Sequence, residues 1–517
     1  MNSRPMFETV VKKRRRLLRR ASSLLEPAVR NPFVHHLNLT TLDKIRIAIM
    51  SVTVVPLRLI LGLAFFPIVY LLCRIALAGL TEEQLVKEPL QGWRRMLLYP
   101  NWLIGRFQFF IMGFHYVSVK GQRASRDEAP ICVISPHTAF FDILIMFVLG
   151  LPHTNSVSRE ENGKAPLAGT LVNLLQPVFV SRKQSNSRHN ASYEITRRVQ
   201  PNSPWPQLLM FPEGTCTNKT CLINFKQGAF NPGLPVQPVI LHYNTDTVTW
   251  AYKGPQVLAS MWLTMCNFNN KLEIEFLPVY KPSEEEKRDP ALYAQNVRGV
   301  IARSLNLPVT DHSFEDCLLM KQAKKHGLPM EAGAVEFHKL TVKLGLKFSD
   351  IKEQLPKYAA IAKSKGYISI EDFAEYLQLP VSPALEEVFA MYDRDGSGTI
   401  DFREYVIGSC LVAKPAEDEE TLALAFERFC GNCYITKKEL VEIMEKSLRM
   451  TDAQAEELFN QVDVDKSGQI TYDQFKAYAD LKPEYATLFN VYQELKKEER
   501  NQMEQESNVD RNKNKTD

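Results

Sequence analysis

At 517 residues, with 45% hydrophobic and 24% charged residues, the chain is too long for one ordinary domain and too apolar to be disordered. Its 63 basic and 59 acidic residues leave a formal charge of +4, which gives no electrostatic footprint for nucleic acid as a partner. Nine cysteines, odd in number and without a framework spacing, argue against a secreted disulfide scaffold and fit free thiols in a reducing compartment. The lone CxxC at Cys430 and Cys433 lacks the second pair that a zinc site needs.

Positive charge is concentrated in Lys12 to Arg20 (KKRRRLLRR), which defines a basic arm over residues 1–40. No residue from Leu59 to Cys73 is charged, and only Arg58 interrupts the apolar run that begins at Ile47. Fifteen uncharged residues fall short of the roughly 20 that cross a bilayer, and Pro56 and Pro67 each remove a backbone donor and favour a bend. The segment 41–80 is therefore expected to be a membrane hairpin or signal-anchor, with the basic N-terminus on the cytosolic side. Trp93 to Val119 mixes aromatic, apolar and basic residues as interfacial helices do, over 81–122.

Ile131 to Ser135 (ICVIS) reads as a short buried strand, followed by Pro136, His137 and, five residues after the histidine, Asp142, with an apolar helix expected over Ile143 to Leu149. On a regular helix the two would diverge by about 140°, so a partnership requires His137 just before the helix and Asp142 in its first turn. A neutral imidazole so placed can take a proton from an attacking alcohol while the carboxylate fixes its tautomer. Further on, Pro177 to Arg182 (PVFVSR) reads as a strand ending in a cation, and Leu208 to Thr215 (LLMFPEGT) as a second strand ending in a glycine turn. Phe225 to Phe230 (FKQGAF) and Gly233 to Val239 (GLPVQPV) follow. His153, His189 and His242 have no carboxylate at useful spacing and are expected to be structural or exposed. Cys216 has no base at recognisable spacing, so a nucleophilic thiol is not expected there.

These blocks, over about Arg123 to Tyr280 in a domain taken as 123–310, resemble the glycerolipid acyltransferases, which move an acyl group from coenzyme A to a glycerol hydroxyl. The resemblance implies that His137 is the general base, that Asp142 orients it, and that Arg182, Glu213, Gly214 and Thr215 bind the acceptor. It also implies that Pro235, with Pro238, helps shape the acyl-CoA site. Because Glu213 repels phosphate, it is expected to bond a hydroxyl or hold Arg182, leaving phosphate to Arg182, Lys226 and backbone N–H groups. The implied fold is an α/β acyltransferase domain with an N-terminal membrane hairpin. The implied mechanism is direct attack of the acceptor hydroxyl on the thioester, with N–H donors holding the oxyanion.

A connector, 311–344, leads to an all-α EF-hand domain over 345–480. Asp393 to Glu404 satisfies the twelve-residue calcium loop, with oxygens at Asp393, Asp395, Ser397, Asp401 and Glu404, the backbone carbonyl of Thr399, and Gly398 at the turn. A second loop keeps Asp463, Asp465, Ser467 and Gln469 but ends in Gln474, an amide where a chelating carboxylate is wanted, so weak or absent calcium binding is expected. Ile368, Ile400, Ile435 and Ile470 recur at intervals of 32, 35 and 35 residues and mark four EF-like units. Lys363 and Lys365 in the first unit, and Arg428 and Cys430 in the third, occupy ligand positions, so these two units are expected only to pair with the second and fourth.

The charged tail, 481–517, ends in KNKTD with Lys513 and Lys515 placed as in a dilysine retrieval signal. Basic arm, apolar segment, catalytic blocks, EF-hands and tail together resemble the lysophosphatidylcholine acyltransferases, type 2 or 2B. That resemblance implies lysophospholipid and acyl-CoA as substrates, phosphatidylcholine remodelling, and acetyl transfer to lyso-platelet-activating factor as a further activity. It implies calcium as a structural or regulatory ion and residence in the endoplasmic reticulum membrane, with Golgi or lipid droplets as alternatives. A cytosolic catalytic domain predicts no glycan at Asn38, Asn190 or Asn218. The competing readings are a calcium-responsive scaffold with an inactive core and an acyltransferase for lysophosphatidic acid.

Overall fold

The computed structural model describes residues 29–142, 154–181, 187–417, 434–448 and 450–482, with Phe426 and Glu484. The basic arm up to residue 28, segment 143–149, His153, Arg182, Arg428, the Cys430 and Cys433 pair and the tail beyond 484 lie outside the described residues. The chain divides into two compact units between Cys317 and Leu318.

The first unit opens with α1 (Thr41–Val52), which starts at a capping box between Thr40 and Asp43, and α2 (Val54–Leu77), an apolar helix of 24 residues. The helical run is interrupted at Thr53 and not at Pro67, so a short amphipathic helix and one long apolar helix stand where two apolar arms of a hairpin were expected. Pro56 falls in the first turn of α2, where its missing N–H has no intrahelical partner to lose. Near its start α2 is tied down by Arg58, which donates to the carbonyls of Met265, Asn267 and Phe268 at 2.6, 2.7 and 2.9 Å. Near its end Cys73 and Ala76 are buried with Leu90 and Leu174. α3 (Leu98–Ile111) runs beside α2, with Gln108 donating to the Gly62 carbonyl at 2.9 Å. The stretch expected to be interfacial helix as far as Val119 stops being helical at Ile111, and Val117–Lys120 is an edge strand.

Seven strands form the central sheet: β1 (Val117–Lys120), β2 (Ile131–Ser135), β3 (Thr154–Arg159), β4 (Val178–Val180), β5 (Gln207–Met210), β6 (Val236–Tyr243) and β7 (Leu272–Phe276). Their order is β1-β7-β6-β2-β5-β3-β4, with only the β6–β7 pair antiparallel. β2 lies centrally and all five of its residues are buried, as a near-continuous apolar run in a parallel sheet should be. Period-two alternation sends Ile131 and Val133 into one core, with Tyr293, Val297 and Ile301 of a helix over Pro290–Leu305. Cys132 and Ile134 face the other, with Phe109 and Phe114. This fixes β2 on both faces and presents whatever follows Ser135 at the carboxyl edge of the sheet.

In the second unit the EF-like hands pair as the isoleucine repeat predicts. Ile368 is antiparallel to Ile400, and Ile435 to Ile470. In the first hand Lys365 places its ammonium on both oxygens of Asp372, at 3.0 and 2.9 Å, where a cation would otherwise sit. The segment read as a connector is integral to this unit from Leu318 on. Leu319, Ala323, Leu328, Val335 and Leu340 are buried in its core with Ile351, Phe373 and Ile400.

Candidate functional site

Three adjacent parallel strands deliver their carboxyl ends to one place: His137 follows β2, the Glu213 turn follows β5, and Tyr243 closes β6. The segment from Pro136 to Phe140 is not helical, which lets the imidazole turn back on Asp142. His137 Nδ1 lies 2.7 Å from Asp142 Oδ2, and that same oxygen accepts the backbone N–H groups of Thr138 and Ala139 at 2.9 and 3.0 Å. The other carboxylate oxygen accepts the Tyr243 hydroxyl at 2.6 Å. Asp142 is fully buried, whereas a fifth of the His137 side chain is exposed (20%). With Nδ1 committed to the carboxylate, Nε2 is the nitrogen left for chemistry.

Nε2 is not bare. Cys216 Sγ stands 3.4 Å from it and 3.8 Å from the Ala139 carbonyl. An imidazolium can therefore donate to sulfur while the thiol donates to the carbonyl. Burial by itself would hold His137 below its ordinary value, but Cys216 on one nitrogen and Asp142 on the other outweigh it and hold the group well above. Burial pushes the Cys216 thiol up, so it is a poor nucleophile although a base is in contact with it. The base that sequence spacing did not supply for Cys216 is His137 itself, 79 residues away.

Glu213 departs from the expected acceptor-binding role. It is completely buried, and its oxygens accept the Ser135 hydroxyl at 2.6 Å, the His137 N–H at 3.0 Å and the Thr217 hydroxyl at 3.4 Å. Burial pushes its carboxyl up to about 7. Glu213 braces the backbone that carries His137 rather than facing a ligand. Thr215 is also buried, its hydroxyl 4.0 Å from Cys317 Sγ. Gly214 sits at φ +68, and a Cβ there would lie 2.9 Å from Lys226 Cε, so the glycine lets the exposed lysine cross the turn.

Pro235 is not brought to the pair. It precedes Val236, which is level with Ile131, so the whole of β2, about 16 Å at ~3.3 Å per residue, separates it from the His137 edge. Its place at the start of a strand is where a missing N–H is tolerated. The N–H groups of His137, Thr138 and Ala139 are all committed to Glu213 or Asp142, so none of the three serves as the expected oxyanion donor. A cavity of about 1100 Å³ lies at the opposite, amino edge of the strands, lined by Leu90, Arg123, Thr154 and Trp205, and does not include His137.

In the second unit, one oxygen each from Asp393, Asp395 and Glu404 lie within 4.8 Å of one another. They are oriented by the loop's own amides: Ser397 N–H donates to Asp393 and Asp395, Gly398 N–H to Asp393, and Asp401 N–H to Glu404. Burial, and then the neighbouring Asp401, push the Glu404 carboxyl up to about 7, the mark of hard oxygen donors gathered without a counter-charge. This donor set fits calcium. In the second loop Ser467 and Gly468 amides orient Asp463 in the same way, and Gln474 accepts the Thr471 N–H at 2.9 Å as Glu404 accepts that of Asp401, but its second terminal atom is an amide nitrogen and not a carboxylate oxygen. Two acids remain there, Asp463 and Asp465, with Ser467 donating to the Gln469 carbonyl at 2.9 Å as Ser397 donates to that of Thr399 at 3.0 Å.

A carboxylate-oriented histidine at the carboxyl edge of an α/β sheet, followed in the chain by paired EF-hands, defines an acyltransferase with a calcium-binding type of C-terminal unit. Residues 116–242 match the acyltransferase family, residues 385–406 the EF hand and residues 432–480 the EF-hand domain pair. Over 488 residues the chain is 47% identical to lysophosphatidylcholine acyltransferase 2 of Danio rerio, covering 93% of this chain and 91% of that protein. Identity is 43% to lysophosphatidylcholine acyltransferase 2B of Rattus norvegicus, covering 92% of each, and 42% to lysophosphatidylcholine acyltransferase 1 of the same organism, covering 89% and 87%. A crystal structure of a 1-acyl-sn-glycerophosphate acyltransferase from Thermotoga maritima is 17% identical and superposes with a TM-score of 0.33, over 51% of this chain and 96% of that one. The chain belongs to the lysophosphatidylcholine acyltransferase family.

Proposed function

We propose that this enzyme transfers an acyl group from acyl-CoA to the free hydroxyl of a lysophospholipid, with lysophosphatidylcholine as the first acceptor. The observation that carries the proposal is the His137 imidazole, oriented through Nδ1 by a buried carboxylate, with part of its ring (20%) still reaching the surface. The acceptor hydroxyl displaces Cys216 at Nε2 and gives its proton to that nitrogen as its oxygen attacks the thioester carbonyl. The carbon–sulfur bond breaks, and the departing CoA sulfur takes the proton back from His137. Asp142 balances the imidazolium between these steps. Lys226 and Arg182 are assigned to the acceptor's phosphate.

Type 2 or 2B specificity, with acetyl transfer to lyso-platelet-activating factor, is the finer reading, and the 47% identity to a type 2 relative supports it. Calcium would be held by Asp393, Asp395, Ser397, the Thr399 carbonyl, Asp401 and Glu404, and would neutralise their mutual repulsion. α2 anchors the enzyme to the membrane: its mean hydropathy is 2.3 over an 18-residue window of which 11% is buried. An endoplasmic reticulum location with cytosolic catalytic and EF-hand units is the finer reading, supported by Lys513 and Lys515 of the tail.

The test is His137→Ala, assayed with radiolabelled acyl-CoA and a panel of lysophosphatidylcholine, lysophosphatidic acid and lyso-platelet-activating factor. A fall of about 10²–10⁴-fold in kcat is expected from loss of the base. Unchanged activity in the variant would refute the catalytic assignment, an inactive wild type would favour a scaffold, and preference for lysophosphatidic acid would reassign the acceptor.

A further inference from the structure

α2 is held at both ends by one and the same folded unit. Arg58 clamps the Met265–Phe268 carbonyls at the start, and Cys73 and Ala76 pack with Leu174 near the end. The fifteen steps from Arg58 to Cys73 rise about 22 Å in a helix, less than the ~30 Å hydrocarbon core. A helix so tied cannot cross the bilayer between those anchor points while both anchors stay on one side of it. It lies along the unit's surface, and the residues beside it share its surroundings.

Beside it is a continuous apolar row. Ring contacts run from Phe65 of α2 to Phe107 at 5.2 Å, to Phe110 at 6.4 Å, to His115 at 4.7 Å and on to Phe268 at 5.8 Å. Phe268 follows α4 (Val257–Met265), a helix whose Ser260, Thr264 and Met265 are buried while Leu258 is 81% exposed. Phe268 itself is 71% exposed. Across the same junction the Trp262 indole N–H donates to Ser51 of α1 at 3.0 Å. On α1, Leu42, Ile45, Ile49 and Val52 recur at helical spacing and are all exposed. Burial and the Arg58 guanidinium hold His115 below the ordinary imidazole value, so this link in the row is uncharged at neutral pH.

We infer that α4 and the loop after it form a second lipid-contacting surface, in which Leu258, Trp262 and Phe268 enter the same leaflet that receives α2. The occupant is a bilayer because the row is continuous with α2, and because an exposed Leu–Trp–Phe set on a helix end and loop is the composition that partitions into an interface. The inference rests on the membrane reading of α2. It adds that the unit is held through α4 as well as α2, so its orientation over the membrane is fixed and not left to swivel about one helix.

The test uses the full chain with Leu258→Trp and, separately, Phe268→Trp. Both positions are so exposed that the larger ring has no core to disturb, and an unchanged melting temperature checks this. Each protein is mixed with phosphatidylcholine vesicles containing acyl-brominated lipid, and tryptophan emission is followed with iodide as the aqueous quencher. The expected result is that the added tryptophan is quenched by bromine and loses its accessibility to iodide when the protein is on vesicles. If the proteins sediment with vesicles but the new tryptophans stay open to iodide, this surface inference falls and α2 alone is the anchor. Shielding from iodide without bromine quenching would overturn it in favour of a protein partner, such as a second copy. Failure of the wild type to sediment with vesicles would refute the underlying membrane reading as well.

Discussion

Tyr243→Phe isolates one hydrogen bond in the catalytic pair. The substitution removes a hydroxyl that donates to Asp142 Oδ1 at 2.6 Å and leaves the ring among Phe114 and the β6 packing. Asp142 is fully buried, and the bonds from His137, Thr138 and Ala139 all go to its other oxygen. A hydrogen bond to a charged group contributes about 1.5–3 kcal/mol, which would be roughly 10- to 100-fold in rate if all of it acted in the transition state. Three donors remain on Oδ2, so a loss of about tenfold in kcat is expected, with the acceptor KM unchanged because buried Tyr243 touches no substrate. The pH profile carries the stronger evidence. The base is neutral His137, so kcat/KM rises with pH through the imidazole value, which the structure already places well above 6.5. With one donor gone, more of the carboxylate's attraction falls on the imidazolium, and the acid limb moves to higher pH. Steady-state rates over the pH range with acyl-CoA and lysophosphatidylcholine measure both effects. A kcat and a profile indistinguishable from wild type would refute the positioning role, whereas a rate loss without a profile shift would mark Tyr243 as merely structural.

Cys216→Ala should move the acid limb the opposite way, to lower pH, because it removes the sulfur that favours the imidazolium at Nε2; an alkaline shift would contradict this. Rapid quenching of the wild type with labelled acyl-CoA should trap no acyl-thioester on Cys216, since burial keeps the thiol protonated. Glu213→Gln should raise the melting temperature at pH 8 but not at pH 4.5. The buried carboxyl, pushed from 4.5 to about 7, contributes stability present below the lower value and lost as pH rises through the upper one, on the order of 3 kcal/mol; an equal gain at both pH values would remove this explanation. By calorimetry, Glu404→Gln should abolish calcium binding to the first loop while Gln474→Glu adds a second site, and one retained site in the Glu404 variant would show that calcium binds elsewhere.

The strand that carries His137 was legible because a central parallel strand is buried on both faces and reads as a short uncharged run, here bounded by Pro130 and Pro136. The first calcium loop was legible because its ligands are local, all twelve positions lying in one short segment. The isoleucine repeat likewise gave the pairing of hands, since each isoleucine sits at the same position of its own loop. Features that depend on strand order were not legible. Tyr243 is 101 residues from Asp142 and Cys216 is 79 from His137, and they meet because β6 and β5 flank β2, which no local spacing records.

Burial separates the roles of residues that motif position alone groups together. Glu213 and Thr215 belong to the same turn as Gly214, yet both are enclosed and only the glycine lies at the surface beside Lys226. The reason is geometric. The turn after β5 is enclosed almost throughout, with Glu213, Thr215, Cys216 and Thr217 all buried around Gly214. The backbone under His137 needs an acceptor for its N–H and for the Ser135 hydroxyl, and Glu213 is the residue that turns inward to supply it. A carboxylate can thus support this site through its hydrogen bonds to the Ser135 hydroxyl and the His137 N–H alone. The distinction is measurable, because a brace tolerates an isosteric amide and a ligand-binding charge does not.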